Sequence, residues 1–262
     1  MGKKIGLWMI AVVVTLGAAY WQKTTGPTYA VRGTVVVGGA EVPLRLERSQ
    51  SGDSDQRVRV ATDDAEISGE VRWRRFPTDD PWTVVPMRRG RHWIEAALPN
   101  QPPAGKLEYQ VRLSRRGEHE VFPPLPAVTR FKGEVSPYVL VPHVLAMFVG
   151  MLLSTRAGLE ALTRSGDARR LTMHTLGFLA IGGFVLGPLV QKAAFGAYWT
   201  GVPFGWDLTD NKLLVAAAAW GWAVWRLKGG RGARWEIVAA SVVTMVIFAI
   251  PHSAWGSQID WE

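Results

Sequence analysis

Cysteine is absent from all 262 residues. That absence excludes disulfides, thiol redox chemistry, Cys-ligated iron–sulfur clusters and covalent attachment of c-type haem. Also missing are the Walker A loop, the G-x-G-x-x-G dinucleotide fingerprint, the G-x-S-x-G elbow and the H-E-x-x-H zinc helix. Nucleotide-driven and hydrolytic chemistry thus lack their usual machinery, and the expectation is a non-enzyme without a nucleotide partner. Charge is scarce over long stretches beyond Pro137, whereas residues 22–137 carry most of the Arg, Asp and Glu. This change of composition marks the first domain boundary.

The chain has 30 Lys and Arg against 22 Asp and Glu, a formal charge of +8. Such a balance would suit a nucleic-acid binder if the basic residues formed a patch. They lie beside apolar runs instead. Lys3 and Lys4 precede the first run, Arg156, Arg164, Arg169 and Arg170 read as one short loop, and Arg226, Lys228, Arg231 and Arg234 as another. These are topology signals, and no nucleic-acid partner is expected.

The apolar runs cover residues 5–21, 138–154, 171–190, 213–227 and 235–250. Read as five membrane spans, they place all three basic clusters on one side, which the positive-inside rule makes cytoplasmic. Trp199, Trp206 and Trp255 then group at one face and Trp222, Trp225 and Trp235 at the other, as two aromatic belts would. The first run could be a cleaved secretory signal, but Tyr20 and Trp21 follow the small Gly17, Ala18 and Ala19 at once, which favours a retained anchor. The sequence therefore predicts a multi-pass protein of the cell (inner) membrane. Residues 1–22 form a signal-anchor helix with a cytoplasmic N-terminus. Residues 137–262 form a four-helix transmembrane domain with an outer aromatic loop at 191–212, and the β domain and C-terminus are extracytoplasmic.

Between Tyr29 and Phe131 the pattern changes to short alternating segments such as 31–37, 70–76, 92–98 and 107–113, broken at Gly38-Gly39, Pro99-Asn100 and Arg116-Gly117. Seven to nine such strands predict an antiparallel all-β sandwich. The stretch from His92 through Pro99, Pro102 and Pro103 to Tyr109 resembles the strand, Pro-rich turn and Tyr-bearing strand of fibronectin type III and other Ig-like modules. The resemblance covers residues 29–131 alone and implies a fold without an activity, since such sandwiches serve as binding or spacing modules. Arg88, Arg89, Arg91 and His92 bracket a turn at Gly90 and read as a solvated hairpin tip, with an acidic partner or anionic headgroups as the alternative.

Few groups in the membrane half could do chemistry. His143 lies about one turn into its helix and His252 follows the last span, so both fall at the outer face; His174 begins its helix at the inner face, roughly 24 Å away at about 1.5 Å per residue. His143 with His252 is the one histidine pair that could bind haem. The aromatic, glycine-rich loop 195–212 brings Asp207 and Asp210 to the same layer, so His143, Asp207, Asp210 and His252 form a candidate site for a divalent metal such as zinc or copper. Helix capping accounts for Thr209, Asp210 and Asn211, and an interfacial hydrogen bond for each histidine. His143, Met147 and Met151 share a helix face, where packing is the plainer reading than a metal path. Gly183 and Gly187 mark a close helix contact, with Pro188 bending the chain after them.

The sequence is read as a non-catalytic accessory or assembly subunit of a bacterial-type membrane complex, presenting a β-sandwich at the outer face, with lipid and other membrane subunits as partners. The alternatives are a cytochrome b-like or quinol-reactive electron-transfer subunit holding haem b, and a copper-handling protein.

Overall fold

A computed structural model describes residues 2–166, 168–230 and 232–251. Its described residues divide into two compact units, one of residues 28–134 and one that joins residues 2–27 to residues 135–251.

The first unit holds ten strands: β1 (Val31–Val37), β2 (Ala40–Leu46), β3 (Ser49–Ser51), β4 (Gln56–Ala61), β5 (Ser68–Arg75), β6 (Thr83–Pro86), β7 (Arg88–Arg89), β8 (Trp93–Leu98), β9 (Lys106–Arg115) and β10 (Glu118–Lys132). They pair as a β1-β2 hairpin, a five-stranded sheet in the order β3-β10-β9-β5-β6 and a three-stranded sheet β4-β8-β7. The alternating sequence explains the core, because successive side chains point to opposite faces. In β4, Val58 and Val60 are buried while Arg57, Arg59 and Ala61 are exposed. One apolar cluster, including Val37, Leu46, Ile94, Leu98, Leu107, Tyr109 and Phe131, draws on strands of all three sheets. The turn at Gly38-Gly39 needs glycine, since both residues have positive φ, 52° and 78°. Against the expected purely antiparallel pairing, β3 runs parallel to β10. The Tyr109 hydroxyl is buried and donates to the Glu47 carbonyl at 2.6 Å. In an Ig-type tyrosine corner the corresponding bond returns to backbone only a few residues upstream.

The second unit is helical: α1 (Gly2–Thr25), α2 (Pro137–Thr163), α3 (Ala168–Leu179), a π-helical stretch (Ala180–Leu186), α4 (Gly187–Phe195), α5 (Leu208–Lys228) and α6 (Arg234–Ala249). Among the described residues three helices, and not the five expected, are long and apolar enough to cross a membrane: Gly2–Thr25, Pro137–Thr163 and the continuous Ala168–Phe195. The reasons are plain in the other two. α6 has 16 residues, a rise of about 24 Å against a hydrocarbon core of about 30 Å. α5 opens with the polar turn Leu208-Thr209-Asp210-Asn211-Lys212 and closes with Arg226 and Lys228. Both nevertheless pack with α2 and α3 around the fully buried Trp220, whose indole N–H donates to Thr244 at 2.8 Å.

Arg156 does not belong to a loop as the sequence suggested. α2 continues past Ser154 to Thr163, and Arg156 is buried on it as the ion-pair partner of Glu160. Among the described basic residues, Arg226 pairs with Glu236 at 2.7 Å, and Arg234 donates to the carbonyls of Ala161 and Leu162 at the end of α2. Arg231 and Trp255 lie outside the described residues.

Of the glycine pair predicted to mark a close helix contact, Gly183 meets a neighbour too closely for a Cβ, while Gly187 leaves room for one. A Cβ at Gly183 would stand 2.4 Å from Leu213 of α5, and one at Gly187 would stand 3.7 Å from the His143 ring of α2. Pro188 has no N–H and its ring would crowd the carbonyl of Phe184, four residues back. The chain answers by widening into π-helical pairing just before it, with Gly187 N–H bonded to the Gly182 carbonyl.

Candidate functional site

α4 ends at Gly196, whose φ of 84° closes the helix and whose N–H donates to Lys192 O. The loop that follows is held from both flanking helices. From α4, the Gln191 amide donates to Thr200 Oγ1 at 2.6 Å and to Asp210 Oδ2 at 3.2 Å. From α5, Asp210 Oδ2 also accepts from the backbone N–H of Thr200 at 2.7 Å, the N–H of Gly201 at 3.0 Å and the Thr200 hydroxyl at 3.3 Å. Asn211 Oδ1 accepts from Val202 N–H at 2.8 Å. Gly201 has to be glycine here, since a Cβ would come within 2.6 Å of the Asp210 Cβ. Inside the loop, Asp207 N–H donates to Thr200 O at 3.0 Å, and the N–H groups of Phe204 and Gly205 donate to Gly201 O.

The capping role that spacing suggested for Asp210 falls to Asp207. Asp207 is the N-cap of α5, accepting from Thr209 N–H at 2.8 Å. Asp210 is buried and binds the loop across the gap between two helices. An ionised carboxylate that collects several N–H donors is among the stronger hydrogen-bonding arrangements.

His143 is placed elsewhere. Its Nδ1 is 2.8 Å from the carbonyl oxygen of Gly182 in the π-helical stretch. Met147 and Met151 share its helix face as packing: Met147 Sδ would be 2.9 Å from a Cβ at Gly182, and Met151 is buried. His252, half of the candidate haem pair and a member of the candidate metal set, lies outside the described residues. Among the described residues no three or more His, Asp or Glu side chains converge as a metal ion would require.

Several polar residues that matter at this end were not singled out by sequence reasoning. Lys212 is buried and its Nζ donates to the Ile250 carbonyl at 3.0 Å, while Gln22 of α1 donates to the carbonyls of Phe248 at 2.9 Å and Ile250 at 3.2 Å. Together they tie α1, α5 and the end of α6. The signal for Gln191 and Gln22 was present as a lone amide near the end of an apolar run, where an unpaired polar group is costly. Lys212 was visible as a charge opening such a run. Their partners are backbone carbonyls and loop N–H groups, which no side-chain motif encodes.

No protein family matches the chain, and no curated protein matches it either.

Proposed function

We propose that this chain is a non-catalytic accessory or assembly subunit of a bacterial-type membrane complex, which holds a β domain at the extracytoplasmic surface. The observation that carries this reading is the employment of the polar groups at the loop end: Asp207 caps, Asp210 latches, His143 binds a helix carbonyl, and Lys212 and Gln22 tie helix ends together. Each serves to position chain rather than to meet a substrate. In this reading α1, α2 and the α3–α4 helix cross the membrane with α5 and α6 packed against them, and lipid and other membrane subunits are the partners. The β domain is an Ig-like spacer, a reading supported by its alternating strands and single core. Lys3, Lys4, Arg164, Arg169 and Arg170 support a cytoplasmic N-terminus and an outer β domain.

Two measurements test this. Alkaline phosphatase fused after Arg130 should be active and after Gly166 inactive; the reverse pattern overturns the orientation. Extracted in mild detergent from its own membrane, the chain should migrate in an assembly larger than the recombinant chain forms by itself. A stoichiometric haem or metal in the purified protein would replace this reading with an electron-transfer or metal-handling one.

A further inference from the structure

Among the most exposed large apolar side chains of the helical unit, with Tyr138 of α2 at 91%, two stand together in one loop. Phe204 is 82% and Trp206 87% exposed, and Tyr198, at 56%, stands in the same loop. A loop free to collapse would bury two such rings. This one is held open by the bonds already described: four donors on Asp210, one on Asn211, and three internal backbone bonds between residues 200 and 207. Trp199 is fixed as well, its ring stacked on Phe184 at 5.8 Å and its N–H donating to Val202 O at 3.1 Å. The arrangement is rigid backbone with exposed aromatic tips, which limits the ordering entropy lost when those tips are buried against something else.

The position of the loop identifies what that is. Gln191 belongs to the last two turns of the apolar helix Ala168–Phe195, and its amide reaches both Thr200 and Asp210. The loop is therefore pinned beside the final turns of a membrane-crossing segment, at the depth where hydrocarbon gives way to headgroups. Lys192 on the same turns donates to Gly196 O and lies 5.4 Å from the Tyr198 ring centroid, so its ammonium stays at that level. Aromatic rings with a polar edge are most stable at this boundary.

We propose that the latched loop 196–207 is a preformed lipid anchor, in which Phe204 and Trp206, flanked by Tyr198, enter the headgroup–acyl boundary, with Asp210 as the positioning residue. The proposal rests on the membrane reading above. Because apolar burial drives it, binding is insensitive to salt and to the fraction of anionic lipid.

The absence of cysteine makes the test direct. Phe204→Cys carries a single bimane label in the full chain, reconstituted in phosphatidylcholine vesicles. A nitroxide on the lipid headgroup or upper acyl chain should quench the label several-fold more than water-soluble iodide, equally in low and high salt. Adding Asp210→Ala should reverse that preference, and Asp210→Asn, which keeps an acceptor oxygen, should retain part of it. Quenching by iodide alone overturns the proposal, and so does shielding from both quenchers, which would mean that protein covers the loop. A label at Val185, an exposed position within the apolar helix, separates the two levels of failure. If deep-acyl nitroxide quenches at Val185 while Phe204 fails, the anchor is wrong and the membrane reading stands; if Val185 fails, the membrane reading itself falls.

Discussion

Nδ1 of His143 and the carbonyl oxygen of Gly182 lie 2.8 Å apart, joining α2 to the π-helical stretch of the neighbouring helix. Gly182 O already accepts from Gly187 N–H, so the carbonyl uses both lone pairs. The ring holds the widened turn that Pro188 makes necessary. Replacing His143 with Leu should cost about 0.5–1.5 kcal/mol, because the carbonyl loses one of its two partners and keeps Gly187 N–H. Asn, whose amide nitrogen can stand where Nδ1 does, should recover part of it. Thermal midpoints in detergent decide: equal loss in both variants would mean that the ring acts through its bulk and not its hydrogen bond.

Close contact between α2 and α6 is set by one position. A Cβ at Gly158 would come within 2.3 Å of Ser241 Oγ and 2.5 Å of Ser241 Cβ, a side chain too short to swing away. Gly158→Ala should therefore destabilise by about 1–3 kcal/mol through overpacking. Ser241→Gly on top of it should restore most of that, a coupling that a double-mutant cycle measures. If the two changes simply add, the helices do not touch here.

In the β domain, Asp64 should make stability depend on acid. Its carboxyl is held below the ordinary carboxylate range, first by the Glu66 N–H at 2.8 Å, against some desolvation, and then by the Arg115 guanidinium at 2.8 Å. A depressed folded pKa contributes stability that is fully present above the unfolded value, about 3.9 for Asp, and is lost as pH falls through the folded value. Asp64→Asn should melt below wild type at neutral pH, with the gap closing as pH drops below about 4. A gap that stays constant from neutral to strongly acid solution would show that the residue acts through packing alone. Asp80, lowered chiefly by its hydrogen bond from Arg75, should behave alike.

Much of this was written in local pattern. Alternation along β4 and the Gly38-Gly39 turn fix which side chains face the core, and the apolar runs locate every long helix. The number of candidate spans was not legible in the same way, because it depends on where each helix ends: α6 stops at Ala249 after 16 residues, and α5 takes in the polar turn from Leu208 to Lys212. The capping role expected of Asp210 falls to Asp207, and Asp210 is a latch: a cap needs only the local chain, whereas a latch depends on Thr200 and Gly201, ten and nine residues away. For His143 the sequence favours a hydrogen bond over ligation, but its partner, a Gly182 carbonyl that also accepts from Gly187 N–H in the π-helical turn, has no sequence signature beyond Pro188.

The largest misplacement was Arg156, read as a loop charge and found inside α2. It and Glu160 are both almost wholly buried, one turn apart, with the Trp8 ring of α1 5.4 Å from the guanidinium carbon. The turn after α2 closes over the carboxylate, where a Cβ at Gly166 would meet Glu160 Oε1 at 2.1 Å. Among the described residues Arg156 Nε and Nη1 and Glu160 Oε2 have no bond of hydrogen-bond geometry, so at these atoms compensation comes from the ion pair itself and the Trp8 ring. A buried pair of this kind contributes little net stability but is costly to break on one side. Glu160→Leu or Arg156→Leu alone should destabilise by about 3–5 kcal/mol, and the double substitution should return close to wild type or above it. Trp8→Ala should weaken the packing of α1 and admit water to the pair, which should reduce the penalty of either single change. Midpoints of thermal or denaturant unfolding in one detergent, taken for all four variants, separate the outcomes. Single substitutions that cost nothing would mean that the charges are hydrated in the membrane. A double variant that is stable yet fails to enter the assembly proposed above, where wild type does enter it, would mean that the pair is kept for a partner and not for the fold.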